Sequence, residues 1–249
     1  MDAESRKKII ITAIVFAVLA AARVGYMLYE RRDTGTPQKK QTSYSSNLDD
    51  YVTPHKIVPY DVASAKKELV GKPVWVRAGN QVPYYHYDAA SHSVNFKHEA
   101  GLLPPLDKLQ VQDVILQRAP VSLKPGQVVI VQKQIMTVFD KPGEPGNYAV
   151  SIGLNTGDDY TFSANDIFFF EDPHDLYKHW PPEVWSAIAR HEATLGMNEL
   201  QAGFALGTSM SVSSGDYGSR TVEYSNAGKP VTVTFEKNKA ITVTPGKAE

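Results

Sequence analysis

Three histidines recur at six-residue intervals, His86, His92 and His98, within a stretch of short β-branched and aromatic runs. On adjacent strands that spacing gathers imidazoles, and with Asp88 or Glu99 they would form a zinc or copper ligand set for a metal-dependent hydrolase. The competing reading leaves the same side chains apart, on edge strands and turns. His191-Glu192 opens like the zinc motif H-E-x-x-H, but Leu195 stands where the second histidine belongs, so that motif is excluded. Asp166, Glu171, Asp172 and Asp175 are acidic neighbours without the D-x-D-x-D-G ladder of a calcium loop, and Asp166, Asp172 and Asp175 suit turns and helix caps. Ser211, Ser213 and Ser214 lie in no G-x-S-x-G elbow. Neither G-x-x-x-x-G-K-[ST] nor G-x-G-x-x-G occurs, which argues against nucleotide binding. The chain has no cysteine, which removes thiolate metal sites, disulfides, cysteine nucleophiles and a lipid-modified cysteine. The expectation is therefore no catalytic residue, no resident metal and no cofactor.

Aromatic residues remain as candidates for binding. Tyr84-Tyr85-His86-Tyr87 puts rings on both faces of one strand, and Phe168-Phe169-Phe170 does the same. An exposed aromatic face marks a surface for a protein or glycan partner, whereas packing between β units would consume it. Trp75, Tyr84, Tyr85 and Tyr87 are the expected partner contacts.

The elements that would position these residues are mostly strands. Between residues 50 and 172, Lys72 to Arg77, Tyr84 to Tyr87, Ser93 to Lys97, Val111 to Arg118, Gln127 to Phe139, Tyr148 to Leu154 and Tyr160 to Phe162 alternate with turn residues. Strands at that spacing predict one or two small SH3-like barrels. Val62 to Val70 is the one helix expected there. The connector Gly101 to Leu106 is apolar enough to pack between two β units, and Asp166 to Glu171 reads as a tight aromatic strand. From residue 173 onward a helix starts at Pro181-Pro182 and runs through Glu183 to Ala193. A break at Leu195-Gly196-Met197 precedes a second helix, Glu199 to Leu206, capped by Asn198 and stopped by Gly207. Strands are expected at Met210 to Ser213, Arg220 to Tyr224, Val231 to Phe235 and Ala240 to Thr244. The fold class is thus mainly β with an α+β tail.

The N-terminus has a different character. Residues 1–45 carry eight basic and four acidic residues, while the rest of the chain is weakly acidic with 18 against 23. An acidic body argues against nucleic acid as a partner, because phosphates demand clustered Lys and Arg. The basic excess flanks an apolar run from Ile9 to Tyr29, 21 residues long, where about 20 span a bilayer core as a helix. Arg23 is near enough to one end to snorkel, and Tyr26, Tyr29, Arg31 and Arg32 suit an interface. A cleaved signal peptide would use Arg6-Lys7-Lys8, Ile9 to Leu19 and Ala20-Ala21-Ala22. Resumption of the apolar pattern after Arg23 favours an uncleaved single-pass anchor. The expected organisation is an anchor in 1–32, a polar linker in 33–49, a β-rich region in 50–172 and an α+β domain in 173–249. Basic residues on both sides of the run leave its orientation undecided by charge.

The stretch Gly196-Met197-Asn198-Glu199-Leu200-Gln201-Ala202-Gly203-Phe204-Ala205-Leu206-Gly207 resembles the G-M-T-x-x-Q-V-x-x-x-L-G signature of BamE-like (SmpA/OmlA) domains. Val222-Glu223-Tyr224 and Val231 to Ile241 resemble that family's strands, and His179 to Ile188 is similar to its lead-in helix. The likeness covers about residues 180–245. Ala202 replaces the usual valine, Thr208-Ser209 replaces the usual proline, and the lipoprotein cysteine is absent. The resemblance implies two helices around a Gly-Met turn, then a three-stranded antiparallel sheet, an extracytoplasmic setting and binding rather than catalysis. The resulting expectation is a non-enzymatic protein of the bacterial inner membrane, its C-terminal body in the periplasm, binding a protein or cell-wall partner.

Overall fold

In the computed structural model, the described residues are 52–121 and 130–246, together with Arg23 and Tyr26. The apolar run Ile9 to Tyr29 lies outside them apart from those two residues, as do most of the anchor and the linker. Among the described residues no helix is long and apolar enough to cross a membrane.

The first described helix starts at a capping box. The Asp61 carboxylate accepts from the Ser64 N–H at 2.7 Å while the Asp61 N–H donates to Ser64 Oγ at 3.0 Å, so helix α1 starts at Val62 and runs through Leu69. Its buried residues, Ala65 and Leu69, join the core of the larger sheet. That sheet contains β1 (Pro73–Val76), β2 (Pro83–Asp88), β3 (Ser93–Leu102), β4 (Lys108–Val121), β5 (Ile130–Asp140), β6 (Asn147–Thr156), β7 (Asp159–Phe162) and β8 (Phe168–Phe169). All pairings are antiparallel, in the order β3-β2-β6-β5-β4-β1-β8 with β7 also on β6.

No closed barrel forms; the expected SH3-like barrels are replaced by one open sheet. Strands β4 and β5 run 14 and 11 residues, well beyond the ~5–6 typical of a strand, and pair along their length instead of turning back. Bulges between Val111 and Asp113 and between Ile135 and Met136 bend them without bringing the outermost strands together. The Gly101 to Leu106 connector belongs inside this sheet, with Leu103 fully buried in its core. The expected strand Asp166 to Glu171 is shortened to two residues, because a helical turn, α2 (Ala164–Ile167), takes up Asp166 and Ile167.

Alternation along the strands feeds two cores from one sheet. Tyr84, Val111, Val114, Ile135, Phe139, Val150 and Ile152 enter the main core. Val94, Met136, Val138 and Ala149 form a second cluster, with Tyr85, Tyr87, Phe96 and Ile115 packed on it.

After β8 come α3 (Pro173–Leu176), α4 (Pro182–Ala189) and α5 (Glu199–Leu206). Helix α4 ends four residues earlier than Ala193, where Arg190 donates to Ser186 O at 3.0 Å and His191 takes φ 55°. Gly196 adopts φ 86° in the break, donates to Ala240 O, and Ala240 in turn donates to Met197 O at 2.7 Å. Glycine supplies the left-handed turn, and Met197, 2% exposed, pins it into the core. Asn198 and Gln201 form a second capping box that starts α5. The smaller sheet has the order β12-β11-β10-β9, from β9 (Ser209–Val212), β10 (Thr221–Tyr224), β11 (Val231–Glu236) and β12 (Lys239–Pro245). It therefore has four strands, one more than the resemblance implies. Val222, Tyr224, Val233 and Phe235 pack with α4 and α5. The two cores meet at β1 and β8: Val74, Val76 and Phe168 belong to the first, Trp75 and Phe169 to the second.

Candidate functional site

A cleft of about 340 Å³ opens between α5, the β9–β10 hairpin and the end of β1. Its position follows from a close backbone approach. Thr208 N–H donates to Gly79 O at 3.0 Å, and Asn80 Nδ2 donates to Leu206 O at 2.9 Å. Gly207, at φ 88°, sits where a Cβ would come 2.4 Å from Gly79 O. The Gly79-Asn80 turn thus clamps the C-terminus of α5 and the head of β9, and brings Arg77 to the cleft.

Aromatic rings line the interior. Phe204 lies 5.6 Å from Phe169 and 5.1 Å from Tyr177, edge to face with the latter, and Trp180 stacks behind Tyr177 at 4.5 Å. At one end Glu199, in the first turn of α5 where the helix dipole favours a carboxylate, is 5% exposed. It accepts from Gly218 N–H at 2.6 Å and from Arg220 Nε and Nη2 at 3.0 and 2.7 Å. The hydrogen bonds that Arg220 donates to Glu199 raise the Arg220 pKa further and keep its guanidinium charged. Arg220 also lies 5.4 Å from the Tyr217 ring. Burial, with the Glu199 charge second, pushes the Tyr224 hydroxyl well above its ordinary range, so it stays protonated.

Arg77 occupies the other end. Its Nη1 donates to Asn165 O at 2.9 Å and its guanidinium lies 5.4 Å from the centre of Phe169. Arg77 is exposed and has no carboxylate partner among the described residues. Among the described residues the cleft therefore contains one neutralised ion pair, Glu199–Arg220, and one cation, Arg77, without a carboxylate partner.

Strand β9 borders this cleft. All four of its residues are exposed, Met210 at 63% and Val212 at 47%. Among the described residues it pairs with β10 alone, through Val212↔Val222, Ser211↔Glu223 and Ser209↔Tyr224.

The residues expected from sequence to contact a partner lie elsewhere and are largely consumed by packing. Trp75 is buried in the core of the smaller sheet under Lys108. Tyr84 is buried between Phe139 and Tyr148. Tyr85 packs edge-to-face on Phe96, and burial raises its hydroxyl pKa, with Glu99 adding to the effect. Tyr87 is half-buried, its hydroxyl 3.1 Å from His92 Nδ1. Aromatic alternation in β2 supplies two cores, not one exposed face.

The three spaced histidines are not brought together. His86 lies against Tyr148, His92 occupies a left-handed turn position at φ 49°, and His98 is exposed on β3. No three potential ligands converge among the described residues. Asp172 caps α3 through His174 N–H at 2.9 Å, and Glu171 accepts from His55 N–H. Ser211 donates to Glu223 at 2.8 Å and Ser213 Oγ accepts from Thr221 N–H, both within the β9–β10 pair.

Sequence reasoning missed Glu199, Arg220 and Arg77. The cap at Asn198 places a carboxylate in the first helical turn, but nothing local ties it to an arginine 21 positions later. No protein-family model, curated protein or solved structure matches this chain.

Proposed function

We propose that the chain is a non-enzymatic, single-pass membrane protein of the bacterial envelope, anchored through residues 9–29, whose extracytoplasmic body binds a protein partner. The anchor is argued from the length and flanks of the apolar run, and the setting from the BamE-like likeness of residues 180–245. Two helices around the Gly196-Met197 turn, followed by an antiparallel meander, support that likeness at the level of architecture. The observation that carries binding is β9, a strand paired on one side, exposed at every residue and set beside an aromatic cleft. An edge of that kind takes up a partner by strand addition, main-chain hydrogen bonds giving affinity and neighbouring pockets giving selectivity.

The test is a photo-crosslinking residue at Met210 in the full chain, expressed in its own cells, with reporters of each compartment fused after Glu249. A signal from the extracytoplasmic reporter, membrane retention and a specific crosslinked protein are the expected results. A cytoplasmic signal removes the envelope setting, and a Met210 position that crosslinks nothing removes strand addition.

A further inference from the structure

Given the partner-binding reading above, we infer that the β9 edge and its cleft take an extended peptide segment of another protein, one with an aspartate or glutamate beside an apolar side chain. Edge strands are ordinarily guarded by charge, proline or brevity. Strand β3 carries Lys97 and Glu99, β7 carries Asp159, β12 carries Lys239 and Pro245, and β8 is two residues long. Ser209-Met210-Ser211-Val212 carries none of these charges and no proline. Four residues long and with a bulge in its pairing near Tyr224, it is the described edge of more than two residues that carries neither charge nor proline.

The geometry assigns a direction to the free edge. Ser213 N–H donates to Thr221 O at 2.9 Å, and Val212 stands opposite Val222. In an antiparallel ladder hydrogen-bonded and non-hydrogen-bonded pairs alternate, so the N–H and C=O of Val212 turn away from β10. Val212 shares a face with Val222, the face that lines the cleft. At the head of the strand Thr208 N–H is already taken by Gly79, and Arg77, two residues before Gly79, lines the same cleft as Ser209.

Charge selects the peptide. Glu199 neutralises Arg220, whereas Arg77 holds only a backbone carbonyl and an aromatic ring. A carboxylate on the added strand completes the Arg77 fork, while the exposed Val212, on the cleft face, packs against the adjacent apolar side chain; Phe169 and Phe204, 3% and 9% exposed, form the buried floor beneath it. A lysine in the same place meets an uncompensated cation. The Ser-Met-Ser-Val strand of a second copy has no carboxylate of its own to offer Arg77, which favours a different protein as the occupant.

A phage-displayed library of random nine-residue peptides, selected on the full chain in detergent micelles, tests this, with the selected sequence then measured as a synthetic peptide. The expected selection is enriched in Asp or Glu next to an apolar residue. Arg77→Glu then weakens the peptide about ten-fold or more, and a peptide with Lys replacing its acid regains that loss on Arg77→Glu alone. Val212→Pro, which removes the outward N–H, weakens both peptides equally. A selection without acidic enrichment, or a loss in Arg77→Glu that the exchanged peptide fails to restore, overturns the inference. So does a dimer in sedimentation that Val212→Pro abolishes. A non-acidic selection alongside a specific Met210 crosslink in cells removes the acidic peptide and leaves partner binding standing; absence of that crosslink removes the binding reading itself.

Discussion

The two sheets solve the same problem in opposite ways. The larger one buries side chains on both faces: the main core lies on one face, and Met136, Val138 and Ala149 cover the other. Its long outer strand β3 is charged. The smaller sheet packs one face on α4 and α5, leaves much of the other bare, and ends in an exposed β9. Its polar groups are correspondingly invested inside, in Glu199 and Arg220 at the cleft. Under the binding reading proposed above, the difference teaches where a partner would dock: the larger sheet supplies rigidity, and the smaller one keeps main-chain groups of β9 open beside the cleft.

The largest effect expected from this contrast is at Phe139, fully buried among Tyr84 and Tyr148 in the larger sheet. Phe139→Ala should cost about 4 kcal/mol in chemical denaturation. Phe204→Ala should cost less, about 3 kcal/mol, because the removed ring borders an open cleft. Equal losses would mean that the cleft is packed as tightly as the core and would undo the comparison.

Next are two ion pairs of the same 2.7 Å length, one in each region. Lys66–Asp113 has side chains 45% and 37% exposed, whereas Arg220–Glu199 has 23% and 5%. Glu199→Ala leaves Arg220 and the Gly218 N–H without their acceptor and should cost about 3 kcal/mol. Lys66→Ala should cost less than about 1 kcal/mol, since an exposed pair is screened by water and salt. Replacing Glu199 and Arg220 together by leucine should recover much of the single-variant loss. A double variant as unstable as Glu199→Ala would show that the lost Gly218 contact, not the stranded charge, sets the cost.

Residue type and spacing disclosed local structure well and long-range structure poorly. Helix α5 runs from Glu199 to Leu206 as the cap at Asn198 and the stop at Gly207 predict, and the four later strands fall within one or two residues of expectation. These elements are specified by their own few residues. Barrel against open sheet is a different question, since turns every ten residues serve either. The answer depends on the continuous β4–β5 pairing and on bulges at Val111/Asp113 and Ile135/Met136, which no single segment encodes. The cleft was hidden for a related reason. Tyr84 and Trp75 stood out by composition yet serve cores, whereas Arg77 looks in sequence like an ordinary strand end. Only the Gly79–Thr208 contact, joining residues 129 positions apart, brings it to β9.

The smallest effects separate two capping boxes of the same design. Asn198 and Gln201 start α5 in the smaller sheet's core, and Asn198→Ala should cost about 1 kcal/mol at any pH. Asp61 and Ser64 start α1 against the larger sheet, and there the cap titrates. Hydrogen bonds from the Ser64 N–H and hydroxyl hold the Asp61 carboxyl below its ordinary value. A carboxyl depressed by folding stabilises the folded state above its unfolded pKa of about 3.9, and that stabilisation is lost as pH falls through the lower folded value. Amide exchange followed from pH 6 downward should therefore show the Ser64 N–H losing protection, relative to that of Gln201, only below about pH 4. Asp61→Asn should keep α1 capped and remove the acid step. Parallel loss at Ser64 and Gln201 would mean that acid loosens the body as a whole, with both caps following instead of one leading.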